Sequence, residues 1–171
     1  MKRCTVNNKH HAGLITTKHI YINTPDGPCY RRIATQLEQP AKWDLMVLHM
    51  QPISSNRINV GATTYLYIKF LGKKFHGLAT VSELRAKNTV SWTFKGDIEI
   101  RVYWRITPEK NGTSVSITLA WKDNSWLTDI SLYRALQRKR VDRLLDKMLE
   151  KFKKTVEKEE ALDAVKEGVA V

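Results

Sequence analysis

The chain has 171 residues, of which 42% are hydrophobic and 27% are charged, and its formal net charge is +12 at pH 7. A chain of this length can bury roughly 70% of its unfolded surface in one domain, and the composition is typical of a globular protein. No apolar run reaches the roughly 18 residues of a membrane-spanning helix, and no secretory signal is visible, so we expect a cytoplasmic protein.

Neither the positive charge nor the two cysteines identify a binding partner. The charge is spread along the chain rather than gathered in one arm, so it favours anionic partners without naming one. Cys4 and Cys29 lack a partner at a metal-binding or redox spacing, and the five histidines show no metal-ligand pattern. We therefore predict no metal site and no cofactor.

The N-terminal part predicts one strand and two short helices. Residues 14–23 are rich in β-branched side chains and end at the sequence TPDGP, where proline and glycine stop a strand. Residues 29–47 are long enough for two short helices that are interrupted near Pro40, because proline removes a helical hydrogen-bond donor.

From residue 47 to 122 the apolar residues alternate with a period of two. This pattern predicts about six consecutive antiparallel strands joined by short turns. The first of them is a weak strand, and Pro52 would confine it to an edge or a bulge of the sheet. Turns that contain Gly72, Gly96 or Gly112 separate most of the remaining strands, and the sequence AKN, residues 86–88, leads into the strand TVSWTFKG.

The strand IEIRVYWRI, residues 98–106, alternates without a break. It places Val102 and Trp104 on one face and Arg101 and Arg105 on the other. Its apolar face could close a solid core or form the wall of a ligand cavity. Its other face could present a basic, aromatic surface to nucleic acid. The three alternatives imply three different functions.

The last long segment predicts one amphipathic helix. From about residue 128 to 160, apolar residues recur at helical spacing without proline or glycine, over a length of about 45 Å. A single helix about 10 Å wide cannot cover a sheet of six or seven strands, so the sheet must curl around it. We predict an α+β domain at residues 14–160, with a flexible segment at 1–13 and a frayed tail at 161–171.

This order of elements resembles the helix-grip superfamily (SRPBCC), which includes START, birch-pollen-allergen-like and polyketide cyclase/dehydrase proteins. The resemblance covers about residues 14–158, where Pro25 ends a strand and opens a short helix, and Trp43 follows the second predicted helix. It implies a curved antiparallel sheet of about seven strands wrapped around the C-terminal helix. It also implies a cavity between them for an apolar small molecule or lipid, but not which activity the protein has.

The candidate cavity residues are apolar side chains on the inward faces of the strands and the helix. They are Leu66, Ile68, Phe70, Trp92, Phe94, Ile100, Val102, Trp104, Leu119, Trp121, Leu136, Leu144, Met148 and Phe152. Ligand sites are mostly apolar, so this set fits one. The alternative is a filled core, in which the tryptophans occupy the space instead of framing it.

Three polar residues could also reach the cavity: Thr64, Glu83 and His76. Thr64 stands on an otherwise apolar face. A two-residue turn at Lys87 and Asn88 would pair Glu83 with Trp92 and turn the carboxylate inward, whereas a bulge near Ser82 would keep it in solvent. No residue can be assigned a catalytic role from these patterns.

We therefore expect a protein that binds or transports a hydrophobic small molecule or lipid, with a polyketide cyclase/dehydrase-type enzyme as the alternative. The second alternative is a basic surface that binds nucleic acid or an anionic membrane. An outward strip of Arg101, Tyr103 and Arg105, together with Lys69, Tyr65 and Tyr67, could form a platform that stacks bases, although a solvated face with cross-strand pairs is the commoner arrangement. Four cations, Arg138, Lys139, Arg140 and Arg143, could contact anionic lipid headgroups transiently. The oligomeric state is not predicted.

Overall fold

The computed structural model describes residues 13–35, 43–53, 59–122 and 131–168, without the side chains of 164 and 166–168. The described residues form seven strands and two helices. In chain order these are β1 (Leu14–Ile22), α1 (Asp26–Ala34), β2 (Val47–Pro52), β3 (Thr63–Phe70), β4 (Lys73–Arg85), β5 (Thr89–Gly96), β6 (Glu99–Glu109), β7 (Gly112–Lys122) and α2 (Ser131–Gly168). The predicted flexible segment at 1–13 lies almost entirely outside the described residues.

The seven strands form one curved antiparallel sheet in the order β1-β7-β6-β5-β4-β3-β2. Strands β2 to β7 form a meander, and β1 pairs with the last strand, so that Leu14 lies opposite Trp121. Strand β2, which contains Pro52, lies at the edge, and its register shifts between Val47 and His49. The predicted α+β helix-grip fold is confirmed, and so is the edge position of the proline-containing strand.

The segment between β1 and β2 contains one described helix, α1, and not the two that the sequence predicted. The second predicted helix falls partly on residues 36–42, outside the described ranges. From Trp43 to Met46 the chain is not helical. The reason is local: the Asp44 carboxylate accepts hydrogen bonds from the backbone N–H groups of Met46 (2.8 Å) and Val47 (3.2 Å), which turns the chain into β2.

Helix α2 packs on the inner face of the sheet through one stripe of buried residues. Val141, Leu145, Met148, Phe152 and Val156 recur at intervals of three or four and are almost fully buried. The helix continues through Gly168, so it includes residues 161–168, for which the sequence predicts a frayed tail. Although α2 has 38 residues, no helix of the described chain is apolar enough to cross a membrane.

Polar contacts attach one flank of α2 to β1. Thr16 donates a hydrogen bond to Asp142, the Lys18 ammonium lies 3.2 Å from Asp146, and the Asn23 backbone N–H donates to Glu157 at 3.1 Å. These contacts fix the orientation of the helix about its own axis. The opposite flank of α2 therefore faces β3 and the turn between β3 and β4.

Candidate functional site

The inner face of the sheet carries most of the predicted cavity residues. All the apolar candidates on the strands are buried, as are Met148 and Phe152 on α2. Leu144 is half-buried, and Leu136 lies on the outside of α2 with 49% of its surface exposed. The structure thus brings most of the candidates together beneath the sheet, while their role as walls of a ligand cavity stays a prediction.

Three aromatic rings meet in the middle of the space between sheet and helix. The centroid of Trp43 lies 5.6 Å from that of Trp104 and 5.0 Å from that of Phe152, and both pairs meet edge to face. Trp104 and Phe152 are 5.9 Å apart. Edge-to-face ring pairs at these distances stabilise a fold by more than the burial of their surface alone provides. The ring cluster, by which we mean Trp43, Trp104 and Phe152, therefore fills the space below the centre of β6.

The members of the ring cluster belong to different kinds of structure. Trp104 projects from the middle of β6 and Phe152 from the middle of α2, so both are held by regular hydrogen bonding on either side. Trp43 belongs to the irregular segment before β2. Trp43 is thus the ring whose backbone can shift with the least loss of secondary structure.

Several buried polar atoms in the interior have no hydrogen-bond partner among the described residues. They are the indole nitrogens of Trp92, Trp104 and Trp121, together with Gln137 Oε1 and Thr24 Oγ1. Buried indole N–H groups usually find an acceptor. A largely apolar interior with a few unsatisfied donors and acceptors has the chemistry of a site for an apolar ligand that carries a small number of polar atoms.

The buried polar residues outside the predicted set include Gln137 and Asp44. Gln137 is only 7% exposed, because it stands one helical turn before Val141 in the buried stripe. That spacing could have revealed it. Asp44 is also buried, and desolvation by burial raises the pKa of its carboxyl above the usual range. The hydrogen bonds that it accepts from two backbone N–H groups lower the pKa and oppose this rise.

The three predicted polar residues lie in different places. Thr64 is buried at 5% exposure on the inner face of β3. The β4–β5 register shifts between Val81 and Glu83, so Trp92 lies opposite Val81 and Glu83 opposite Ser91. The bulge near Ser82 is therefore present, and the half-exposed Glu83 pairs with Arg85 at 2.7 Å.

His76 is exposed, and its ring centroid lies 6.4 Å from that of Tyr65 on the outer face of the sheet. The His76 side chain therefore lies on the opposite side of the sheet from the interior.

Within the described residues no group of three or more His, Cys, Asp and Glu side chains could hold a metal ion. Cys29 is buried in α1, and burial raises the pKa of its thiol to about 11.

A cleft of about 440 Å³ opens between the β3–β4 turn and α2. It is lined by Leu45, Lys69, Leu71, Gly72, Arg140 and Leu144. The three leucines are half-buried and pack against the core, so the floor of the cleft continues into the apolar interior. We call this feature the end cleft.

Part of the positive charge on the outer face of the sheet is paired. A groove of about 520 Å³ there includes Lys95, Arg101 and Tyr103 in its walls. Arg101 pairs with Glu99 at 2.7 Å, and the Lys74 ammonium stands 6.0 Å from the centroid of the Tyr67 ring. The Arg101–Glu99 pair fits a solvated outer face, where exposed ion pairs contribute little to stability.

Comparison with known proteins identifies the fold. No protein-family model matches this chain, and no curated protein matches it. The chain is similar to the structure of a START superfamily protein from Mycobacterium smegmatis, with a TM-score of 0.68 and 13% identity over 84% of this chain and 97% of that one.

Two further structures have the same fold. The Zhui aromatase/cyclase from Streptomyces sp. R1128 gives a TM-score of 0.67 at 11% identity, covering 85% of this chain and 94% of that one. Ara h 8.0201 gives 0.61 at 9% identity, covering 84% and 97%. Identities this low show the fold alone. The chain has the helix-grip fold of the superfamily that contains START, birch-pollen-allergen-like and polyketide aromatase/cyclase proteins.

Proposed function

We propose that this protein binds a hydrophobic small molecule or a lipid in the space between the sheet and α2. The observation that supports the proposal best is that the indole N–H groups of Trp92, Trp104 and Trp121 are buried in a largely apolar interior without a hydrogen-bond partner among the described residues. A buried donor without an acceptor costs about 1–3 kcal/mol. A ligand with one or two acceptor atoms would recover part of that cost.

Ligand binding of this kind requires space that the ring cluster now fills. Trp43 is the member on irregular backbone, and its ring contacts both Trp104 and Phe152. The ligand would enter through the end cleft, displace Trp43 and take its place against the other two rings. Such a carrier would act in the cytoplasm, as the sequence predicts.

The experiment is native mass spectrometry, with lipid extraction, of the protein purified from its own host. The expected result is a co-purifying apolar molecule in a one-to-one complex. As a control, unfolding in urea followed by refolding should release the molecule, and adding the extract back should restore it. A protein that emerges without a ligand and takes up none from the host lipid extract would contradict the proposal.

The enzymatic alternative depends on Asp44. A carboxyl group whose pKa is raised by burial holds its proton to higher pH than an exposed aspartate and can act as a proton donor. A cyclase/dehydrase-type reaction would need such a group in contact with the ligand. Chemical change of the co-purified molecule by the wild-type protein, but not by Asp44→Asn, would favour the enzyme over the carrier.

We also propose a transient contact with an anionic membrane surface through the first half of α2. Leu132 is 78% exposed and Leu136 is 49% exposed, and with Lys139 and Arg143 they recur at helical spacing on the outer face. Exposed leucines beside cations on one helix face are typical of interfacial membrane binding. We call these four residues the outer patch of α2.

Sedimentation with vesicles tests the outer patch. The protein should sediment with vesicles of phosphatidylglycerol and phosphatidylcholine, more weakly at high salt, and not with phosphatidylcholine alone. Leu132→Ser with Leu136→Ser should weaken binding by about tenfold, since two leucines no longer enter the bilayer. Leu162→Ser with Val165→Ser removes two exposed apolar residues from the far end of α2 and serves as the matched control. Equal loss in both variants would contradict the proposal.

A further inference from the structure

The end cleft combines an apolar floor with a cationic rim. Leu45, Leu71 and Leu144 form the floor, and Lys69 and Arg140 stand at the sides. Both cations are exposed, and neither makes an ion pair within the described ranges of the chain. A hydrocarbon chain fits the floor, and an anion fits the rim.

The strand hairpin beside the cleft concentrates positive charge. Lys69 on β3 lies directly opposite Lys74 on β4, and Phe70 lies opposite Lys73. Like charges directly opposite each other destabilise an antiparallel pair. The sequence offers no local compensation, because no aspartate or glutamate occurs between Asp44 and Glu83. The hairpin therefore carries three lysines beside the cleft, and none of them makes an ion pair within the described residues.

Helix α2 contributes a cation to the other wall of the cleft, and the two aspartates nearest to it in sequence contact β1. Arg140 lines the cleft, whereas Asp142 and Asp146 bind Thr16 and Lys18 on β1. The aspartates that could neutralise Arg140 are thus used on the opposite flank of the helix. The positive potential at the end cleft is a property of both walls.

We infer that the ligand is a single-chain acidic amphiphile whose carboxylate or phosphate head binds between Lys69 and Arg140 in the end cleft. Its hydrocarbon tail lies over Leu45, Leu71 and Leu144 and continues into the interior. The head stays at the mouth, where Lys and Arg donate charge-assisted hydrogen bonds to its oxygens. This inference rests on the proposed function and narrows it from hydrophobic molecules in general to those with one anionic end.

The test compares two probes that differ only in the head: dodecanoate and 1-dodecanol, each titrated below its solubility limit by calorimetry. Wild-type protein should bind dodecanoate at least about tenfold more tightly than dodecanol, which is the effect expected of one charge-assisted contact. Lys69→Gln with Arg140→Gln should abolish that preference and leave the affinity for dodecanol unchanged. Acetate, which has the head without the tail, should not bind measurably.

The matched control is Lys110→Gln with Arg138→Gln. It removes the same charges from exposed positions: Lys110 lies in the turn between β6 and β7, and Arg138 lies two residues before Arg140, on the other side of α2. This variant should keep the wild-type preference, and circular dichroism should show that both variants are folded. An equal loss in the control would mean that net charge, rather than the cleft, sets the preference, and would overturn the inference.

The remaining outcomes separate the inference from the proposed function. Binding of dodecanoate and dodecanol with equal affinity would overturn the anionic head while leaving a hydrophobic ligand in place. Failure of both probes to bind, together with an empty protein from the host, would overturn both proposals. Vesicle binding through the outer patch should be unchanged by Lys69→Gln alone, so capture of a free amphiphile is distinguished from contact with lipid headgroups in a bilayer.

Discussion

Replacement of Trp43 by alanine should destabilise the protein and at the same time make ligand binding easier. The ring is buried at 2% exposure and meets two other rings edge to face. Truncating a buried tryptophan to alanine costs about 3–5 kcal/mol, and each ring pair contributes about 0.5–1.5 kcal/mol. Because the segment at Trp43 is irregular and can collapse, we expect a loss near the lower end, about 3 kcal/mol.

The assay is urea and thermal denaturation followed by far-UV circular dichroism, which does not depend on the lost indole. For a domain of this size about 1 kcal/mol shifts Tm by 2–4 °C, so Trp43→Ala should melt roughly 6–12 °C below the wild type. Ile33→Ala is the control, since Ile33 is fully buried in α1 and is not among the paired rings. It should also destabilise the protein, without opening the centre of the interior.

The ligand response distinguishes the two variants. A ligand at a hundred times its Kd stabilises the folded state by about 2.7 kcal/mol. Dodecanoate should raise the Tm of Trp43→Ala by more than it raises that of the wild type, because no ring has to be displaced, whereas Ile33→Ala should respond as the wild type does. A loss below 1 kcal/mol, or a ligand response in Trp43→Ala no greater than that of the wild type, would refute the reasoning.

Three further predictions concern local chemistry. The pKa of the Asp44 carboxyl is raised above its ordinary value of 3.8 by burial, so its contribution to stability is present at low pH and is lost as pH rises through the folded-state pKa. The free energy of unfolding of Asp44→Asn, measured in urea, should therefore rise relative to that of the wild type as the pH increases from 4 to 7. A difference between the two proteins that does not change with pH would contradict this. In a Cys4→Ser background, the Cys29 thiol, with its pKa of about 11, should react with a disulfide reagent at pH 8 only after unfolding; rapid reaction of the native protein would show that it is accessible. Gly72→Ala should cost about 1–2 kcal/mol, because Gly72 has a φ of +87°, and a free energy of unfolding within 0.5 kcal/mol of the wild type would argue against that turn.

The fold could be predicted because two periodicities dominate the sequence. Alternation with a period of two set the faces of the strands, and Pro52 identified the edge strand, which the structure confirms. The register of β4 and β5 could not be chosen, because a single extra residue at Ser82 decides whether Glu83 faces inward or outward. The register depends on packing between the two strands, so it cannot be predicted from the sequence of either strand alone.

The face of α2 that packs on the sheet is harder to predict from the sequence. Leu132 and Leu136 repeat at the helical interval, as buried residues do, yet they stand on the outer face. The buried stripe begins at Gln137, one residue out of phase with them. A periodic pattern gives the spacing of a stripe of residues but does not show which of two neighbouring stripes packs on the sheet. The pattern therefore assigns the exposed Leu136 to the cavity and omits the buried Gln137.

Whether the tryptophans fill or frame the interior depends on a residue outside every periodic element. Trp104 alternates correctly on β6, and Phe152 stands in the helical stripe, so both positions follow from the sequence. The third ring, Trp43, comes from a segment with no period, and only the structure shows that it reaches the other two. Under the proposed function, the filled core and the ligand cavity would be two states of the same space rather than alternatives. With Trp43 in place the centre is packed; with Trp43 displaced, Trp104 and Phe152 would become the walls against which a ligand lies. The affinity of such a ligand would then be set by the difference between its own contacts with those two rings and the contacts that Trp43 gives up.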